Sequence, residues 1–184
     1  MRVQVWAGLI CAGLSFGIVD WGAAHAQERS AGERAVVVER ELATRFDAGR
    51  KWAVLIGVNK YLDQDIPSLR YCVADARLLA KTLAEKCGYE AKRILLISDD
   101  QEEDHFRPLG INMRQQIRGW LKKAEPGDTV LVSFSGHGFL DDRGQGFLAP
   151  KDCEKANLGL TGFRIDDLRD VLHQCKATQK VLIL

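Results

Sequence analysis

Read for period, the chain alternates between two kinds of apolar pattern. Trp52-Ala-Val-Leu-Ile-Gly-Val58 is an unbroken β-prone run, which is how a strand reads when both its faces are covered. Ala76, Leu79, Ala80 and Leu83 then recur at helical spacing, and Cys87-Gly88 supplies a stop. Arg93-Ile-Leu-Leu-Ile97 gives a second buried strand. Met113, Ile117, Trp120, Leu121 and Ala124 mark a second amphipathic helix, closed by Pro126-Gly127. Thr129-Val-Leu-Val-Ser-Phe134 predicts a third strand. Within 138–150, Phe139-Leu140 and Phe147-Leu148 flank the polar Asp141-Asp-Arg-Gly144, the pattern of a small hairpin. Leu168, Val171, Leu172 and Cys175 predict a third helix, and Lys180-Val-Leu-Ile-Leu184 a fourth buried strand.

Buried strands alternating with helices predict an α/β fold, a three-layer α/β/α sandwich on a mostly parallel central sheet. That domain covers 51–184. Residues 27–50 are charged, with Val36, Val37, Leu42 and Phe46 as a thin apolar stripe, and predict a linker or short helix. Residues 1–26 differ in kind. Arg2 precedes a nearly unbroken apolar run from Val5 to Val19, and Ala24-His25-Ala26 offers small residues for a signal peptidase. This is the layout of a secretory signal cleaved after Ala26. The run is shorter than the ~20 apolar residues that cross a bilayer. The expectation is therefore an exported protein, periplasmic or extracellular, with no membrane contact after cleavage.

Composition narrows the function classes. An apolar fraction of 46% and a charged fraction of 28% are those of a globular protein. With 26 basic and 25 acidic side chains the formal charge is +1, and without a basic stripe nucleic-acid binding is not expected. Cys11 leaves with the signal, while Cys72, Cys87, Cys153 and Cys175 remain. An exported domain can form disulfides, but spacing does not give their pairing. Cys87 and Cys175, each ending a predicted helix, read as buried free thiols.

In a sheet of this kind, functional groups gather at the carboxyl ends of the strands. The third strand runs directly into Ser135-Gly136-His137-Gly138. His137 is placed to act as a general base near neutral pH, and the Gly138 amide could donate to a developing oxyanion. A histidine bonded only to its own loop is the alternative. His25, His105 and His173 form no metal-ligand spacing with it or with one another, which argues against zinc. Ser135 lacks the G-x-S-x-G frame of a serine hydrolase.

Four stretches, taken in order, resemble the metacaspases and bacterial caspase-like cysteine peptidases. They are Ile56-Gly-Val-Asn-Lys-Tyr61, Leu69-Arg-Tyr-Cys-Val-Ala-Asp75, Phe134-Ser-Gly-His-Gly138 and Phe147-Leu-Ala-Pro-Lys-Asp152. The resemblance implies a caspase-like fold and a Cys-His dyad. His137 matches its histidine, and Gly138 matches the residue whose amide helps form the oxyanion hole. Asp75 matches the aspartate lining the primary specificity pocket, which implies a peptide substrate cut after arginine or lysine. A carboxylate suits that role because it accepts a guanidinium bidentately; without it, Asp75 is a first-turn helix residue favoured by the macrodipole. Cys72 matches a pocket-side cysteine in some members. Asp152, Asp166 and Asp167 resemble the calcium ligands of some metacaspases, whereas many bacterial relatives work without the metal. Asp166 or Asp167 equally reads as a helix cap.

In this family the nucleophile follows the fourth strand in an Asp-x-Cys-His-Ser-Gly stretch, about 50 residues after the histidine. That count places it just past Leu184, so the chain is expected to be truncated after the fourth core strand and inactive as given. Two other readings compete with a peptidase: a pseudo-peptidase serving as a regulatory or interaction module, and a flavodoxin-like binding domain. Against the latter, the first strand leads into Asn59-Lys-Tyr61 rather than a phosphate-cradling glycine loop.

Overall fold

A computed structural model describes residues 49–184. The predicted signal at 1–26, with Cys11, and almost all of the predicted linker at 27–50 lie outside the described residues.

Four strands form a parallel sheet. In chain order they are β1 (Lys51–Gly57), β2 (Ile94–Ser98), β3 (Thr129–Ser135) and, last in the chain, β7 (Gln179–Ile183). Their spatial order is β2-β1-β3-β7. The first helix, α1 (Cys72–Lys86), connects β1 to β2. Next, α2 (Gly110–Leu121) connects β2 to β3, and α4 (Ile165–Gln174) leads into β7. Successive side chains of a strand face opposite ways, and β1 uses both directions for burial. Ala53 and Leu55 join Leu131 under Ala76 and Leu83 of α1. Trp52, Val54 and Ile56 point the other way, into a layer with Met113, Ile117 and Leu121 of α2 and Leu168 and Leu172 of α4. This is the predicted three-layer architecture. The unbroken apolar run of β1 follows from it, because neither of its faces meets water.

Two expectations are corrected and a third is extended. Among the described residues the fourth strand is not covered as expected: β7 pairs there only with β3, and Val181 and Ile183 are 41% and 44% exposed. An apolar run reports the residues but not whether a neighbouring layer covers them. Cys87 is exposed because α1 has already ended beside it, whereas Cys175 is buried as predicted. The hairpin β4 (Gly138–Leu140) and β5 (Gly146–Leu148) forms, but it gains a third antiparallel strand, β6 (Phe163–Arg164). The short α3 (Leu158–Thr161) leads into β6, and neither had a periodic signal. All four described cysteines are free.

The start of β3 is pinned by one carboxylate. Asp128 is 3% exposed. It accepts hydrogen bonds from the Trp52 indole (2.9 Å), the Glu125 amide (2.9 Å) and the Arg50 amide (2.8 Å), and pairs with the Arg50 guanidinium at 3.1 Å. Burial opposes its ionisation, but these donors outweigh burial and hold the carboxyl below its ordinary range.

Candidate active site

The carboxyl ends of β1, β2 and β3 lie side by side, with Gly57 registered against both Ser98 and Ser135. Three loops therefore meet at one edge. The loop after β1 is drawn down at its start, because a Cβ on Gly57 would stand 2.6 Å from the Cys72 carbonyl oxygen. Only a glycine lets the first turn of α1 approach the strand this closely. Asn59 completes the join: its side-chain oxygen accepts from the Val73 amide (3.3 Å), capping a helix whose own first residues offer no side-chain cap.

His137 leaves the end of β3 through Gly136. A Cβ on Gly136 would come within 2.7 Å of the Phe134 ring and 3.1 Å of the Tyr61 hydroxyl, so this position too is restricted to glycine. The His137 amide donates to the Tyr61 hydroxyl at 2.9 Å, and its carbonyl accepts from the Ala149 amide at 2.9 Å. The ring centroid lies 5.3 Å from that of Tyr61, tilted, and 5.9 Å from that of Phe139, roughly parallel. Its Nε2 lies 2.9 Å from the Pro67 carbonyl oxygen. A carbonyl can only accept, so Nε2 must carry the proton. Nδ1 is then the basic nitrogen in the neutral ring, and among the described residues it has no hydrogen-bond partner. Burial pushes the Tyr61 hydroxyl up to about 12. It therefore stays protonated near neutral pH, free to donate to the Val58 carbonyl (3.4 Å) while accepting from His137.

The other predicted residues divide. Asp75 sits in the first turn of α1, exposed, with no hydrogen bond or ion pair to its side chain among the described residues. Cys72, at the start of the same helix, is half-buried. Gly138 is exposed and opens β4 opposite Leu148. The three candidate calcium ligands are not brought together. Asp152 spends an oxygen on the first amide of α2, at Gly110 (2.8 Å). Asp166 faces a cavity of about 550 Å³ beside Arg143 and Arg164, while Asp167 faces a small one lined by Arg114 and Phe163. Among the described residues, no group of three or more His, Cys, Asp or Glu side chains could hold a metal ion.

No hydrogen bond joins any of the four described cysteines to His137. Cys153 is fully buried, and desolvation pushes its thiol up, the opposite of what a nucleophile needs. The Cys175 thiol donates to the Leu121 carbonyl at 3.4 Å, inside the core.

A family model described as "Metacaspase, peptidase C14 domain" matches residues 51–160. This chain belongs to the metacaspase family. Among curated relatives, metacaspase-1B of Aspergillus terreus is 36% identical over 90 residues, covering 49% of this chain and 23% of its own. Metacaspase-1 of Yarrowia lipolytica is 31% identical over 134 residues, covering 68% of this chain and 28% of its own. The chain thus spans about a quarter of the length of the metacaspases it matches. In fold, a crystal structure of a Geobacter sulfurreducens protein aligns with a TM-score of 0.54 at 19% identity, over 72% of this chain and 48% of that one. The metacaspase match runs from the start of β1 through the His137 loop and the hairpin into α3.

The sequence did not point to Tyr61 or Pro67, the two residues that hold His137. Tyr61 lies inside a stretch that carried the family resemblance, which was the available signal. Pro67 contributes only its carbonyl, which no residue type advertises.

Proposed function

We propose that this chain carries the histidine half of a caspase-like cysteine endopeptidase site, with His137 as the proton-transfer residue. The observation behind this reading is the Nε2–H···O=C bond to Pro67, which leaves Nδ1 as the base. A thiol presented to Nδ1 would lose its proton to it, and the resulting thiolate would attack a peptide carbonyl. The tetrahedral oxyanion would meet the Gly138 amide, and the imidazolium would return its proton to the departing amine. Water, deprotonated by the same nitrogen, would then hydrolyse the thioester and release the thiol.

The register of the sheet supports where that thiol comes from. Ile183 pairs with Ser133, so a chain continuing from β7 would pass beside Gly136 and His137 within a few residues. A cysteine there suits the dyad better than any described one. Asp75, exposed and without a partner among the described residues, offers a carboxylate for a substrate arginine or lysine, in keeping with a preference for cleavage after basic residues. Export by the N-terminal signal belongs to the same proposal.

The test is the native C-terminus, read by intact mass and peptide mass spectrometry. A cysteine within the first few residues after 184 is the expected result. A native protein with no cysteine there would replace this reading with that of a regulatory pseudo-peptidase.

A further inference from the structure

We propose that Asp99 and Lys151 are positioning residues for His137, acting through the loop that supplies its Pro67 and Tyr61 contacts. The inference rests on the role given to His137 above. Asp99 opens the loop after β2, and its side chain is only 10% exposed. One oxygen accepts from two successive backbone amides, Asn59 (2.5 Å) and Lys60 (3.1 Å), where the chain has just left β1. Successive amides converging on one acceptor form an anion-binding nest. The other oxygen pairs with the Lys151 ammonium at 3.3 Å. Lys151 is itself 22% exposed in its side chain, so the pair is less screened than a surface ion pair.

Lys151 also holds the loop directly. Its carbonyl accepts from the Leu62 amide at 2.8 Å, and its own amide donates to the Pro108 carbonyl at 2.8 Å. The segment from Asn59 to Leu62 is thereby fixed at both ends, with Tyr61 and its hydroxyl between them. The returning limb is fixed from the same point, because the Leu69 amide donates to the Asn59 carbonyl at 2.7 Å. Pro67 lies two residues before that anchor. The two groups that hold His137, the Tyr61 hydroxyl and the Pro67 carbonyl, thus ride on a loop that the Asp99–Lys151 pair clamps. Three parts of the chain, 59–62, 99 and 151, converge for this purpose.

The test is nuclear magnetic resonance on the isotope-labelled chain, reading water exchange at three places. These are the His137 Nε2 proton, the Asn59 and Lys60 amides, and the Val132 and Leu55 amides of the core strands. In Asp99→Ala, exchange at Asn59, Lys60 and the His137 Nε2 proton should rise about tenfold or more, with Val132 and Leu55 unchanged. Lys151→Met should move the same sites by a smaller factor, and Lys151→Arg should restore them. Lys151→Met also serves if Asp99→Ala does not fold. Release of Asn59 and Lys60 without any change at His137 would overturn the proposal. So would a uniform rise that includes Val132 and Leu55, since that is loss of stability rather than of positioning. A wild-type Nε2 proton that exchanges as freely as in an unstructured peptide would instead refute the Pro67 bond, and the reading of His137 with it.

Discussion

The two ends of β3 treat a polar side chain in opposite ways: Asp128 is buried, whereas His137 is only partly so. At its start, Asp128 collects donors from Arg50, Trp52 and Glu125 until its charge is fully answered. Just past its other end, His137 has its amide and one ring nitrogen satisfied, and among the described residues the other ring nitrogen is left open. The same strand thus ends in a saturated site and an unsaturated one. Saturation is what stability asks for, because a buried group without partners costs ~1–3 kcal/mol. An open nitrogen with a fixed ring is what proton transfer asks for. The contrast locates chemistry without reference to any motif.

The comparison can be broken most forcefully at the saturated end. Asp128→Ala strands the Trp52 and Glu125 donors and unpairs Arg50, and should cost about 3 kcal/mol or more in urea unfolding. His137 should keep its exchange behaviour in the folded fraction. The carboxyl of Asp128 is held below its ordinary range, so the stability it contributes is present above the unfolded-state value and is lost as pH falls through the folded one. The wild-type advantage over Asp128→Asn, measured at about pH 7, should therefore shrink in acid near pH 3. An advantage that grew in acid would contradict the assigned network.

Smaller changes sharpen the open end. Gly136→Ala drives a methyl into the Phe134 ring and the Tyr61 hydroxyl and should destabilise by about 1–3 kcal/mol. Its chemical-shift changes should centre on His137 rather than on the Asp128 corner. Tyr61→Phe removes the acceptor of the His137 amide and should cost about 1 kcal/mol. It should also remove from the ultraviolet titration a phenol that ionises near 12. A surviving transition there, with the folded state intact, would show that another tyrosine carries it.

Much of this was legible in the chain. The central strand announced itself because burial on both faces removes every polar position from the run from Trp52 to Val58. His137 was legible because a strand ends two residues before it and glycines flank it. Legibility failed where the relevant fact lay between distant segments. The partners of His137 stand 70 and 76 residues away, and one of them is a main-chain carbonyl. The exposure of β7 was hidden for a similar reason, since a run of apolar residues does not say whether a layer covers it. Asp152 was misleading in a third way: its carboxylate has the chemistry of a metal ligand, but packing gave it to the first amide of α2.

The most direct measurement is peptide hydrolysis by the native-length protein, alongside its His137→Ala variant. Fluorogenic peptides ending in arginine, lysine or aspartate would serve as substrates. Cleavage after arginine and lysine, falling by at least ~10²-fold in the variant with its unfolding midpoint unchanged, is the predicted result. Undiminished cleavage by His137→Ala would contradict the assignment of the open nitrogen as the working base.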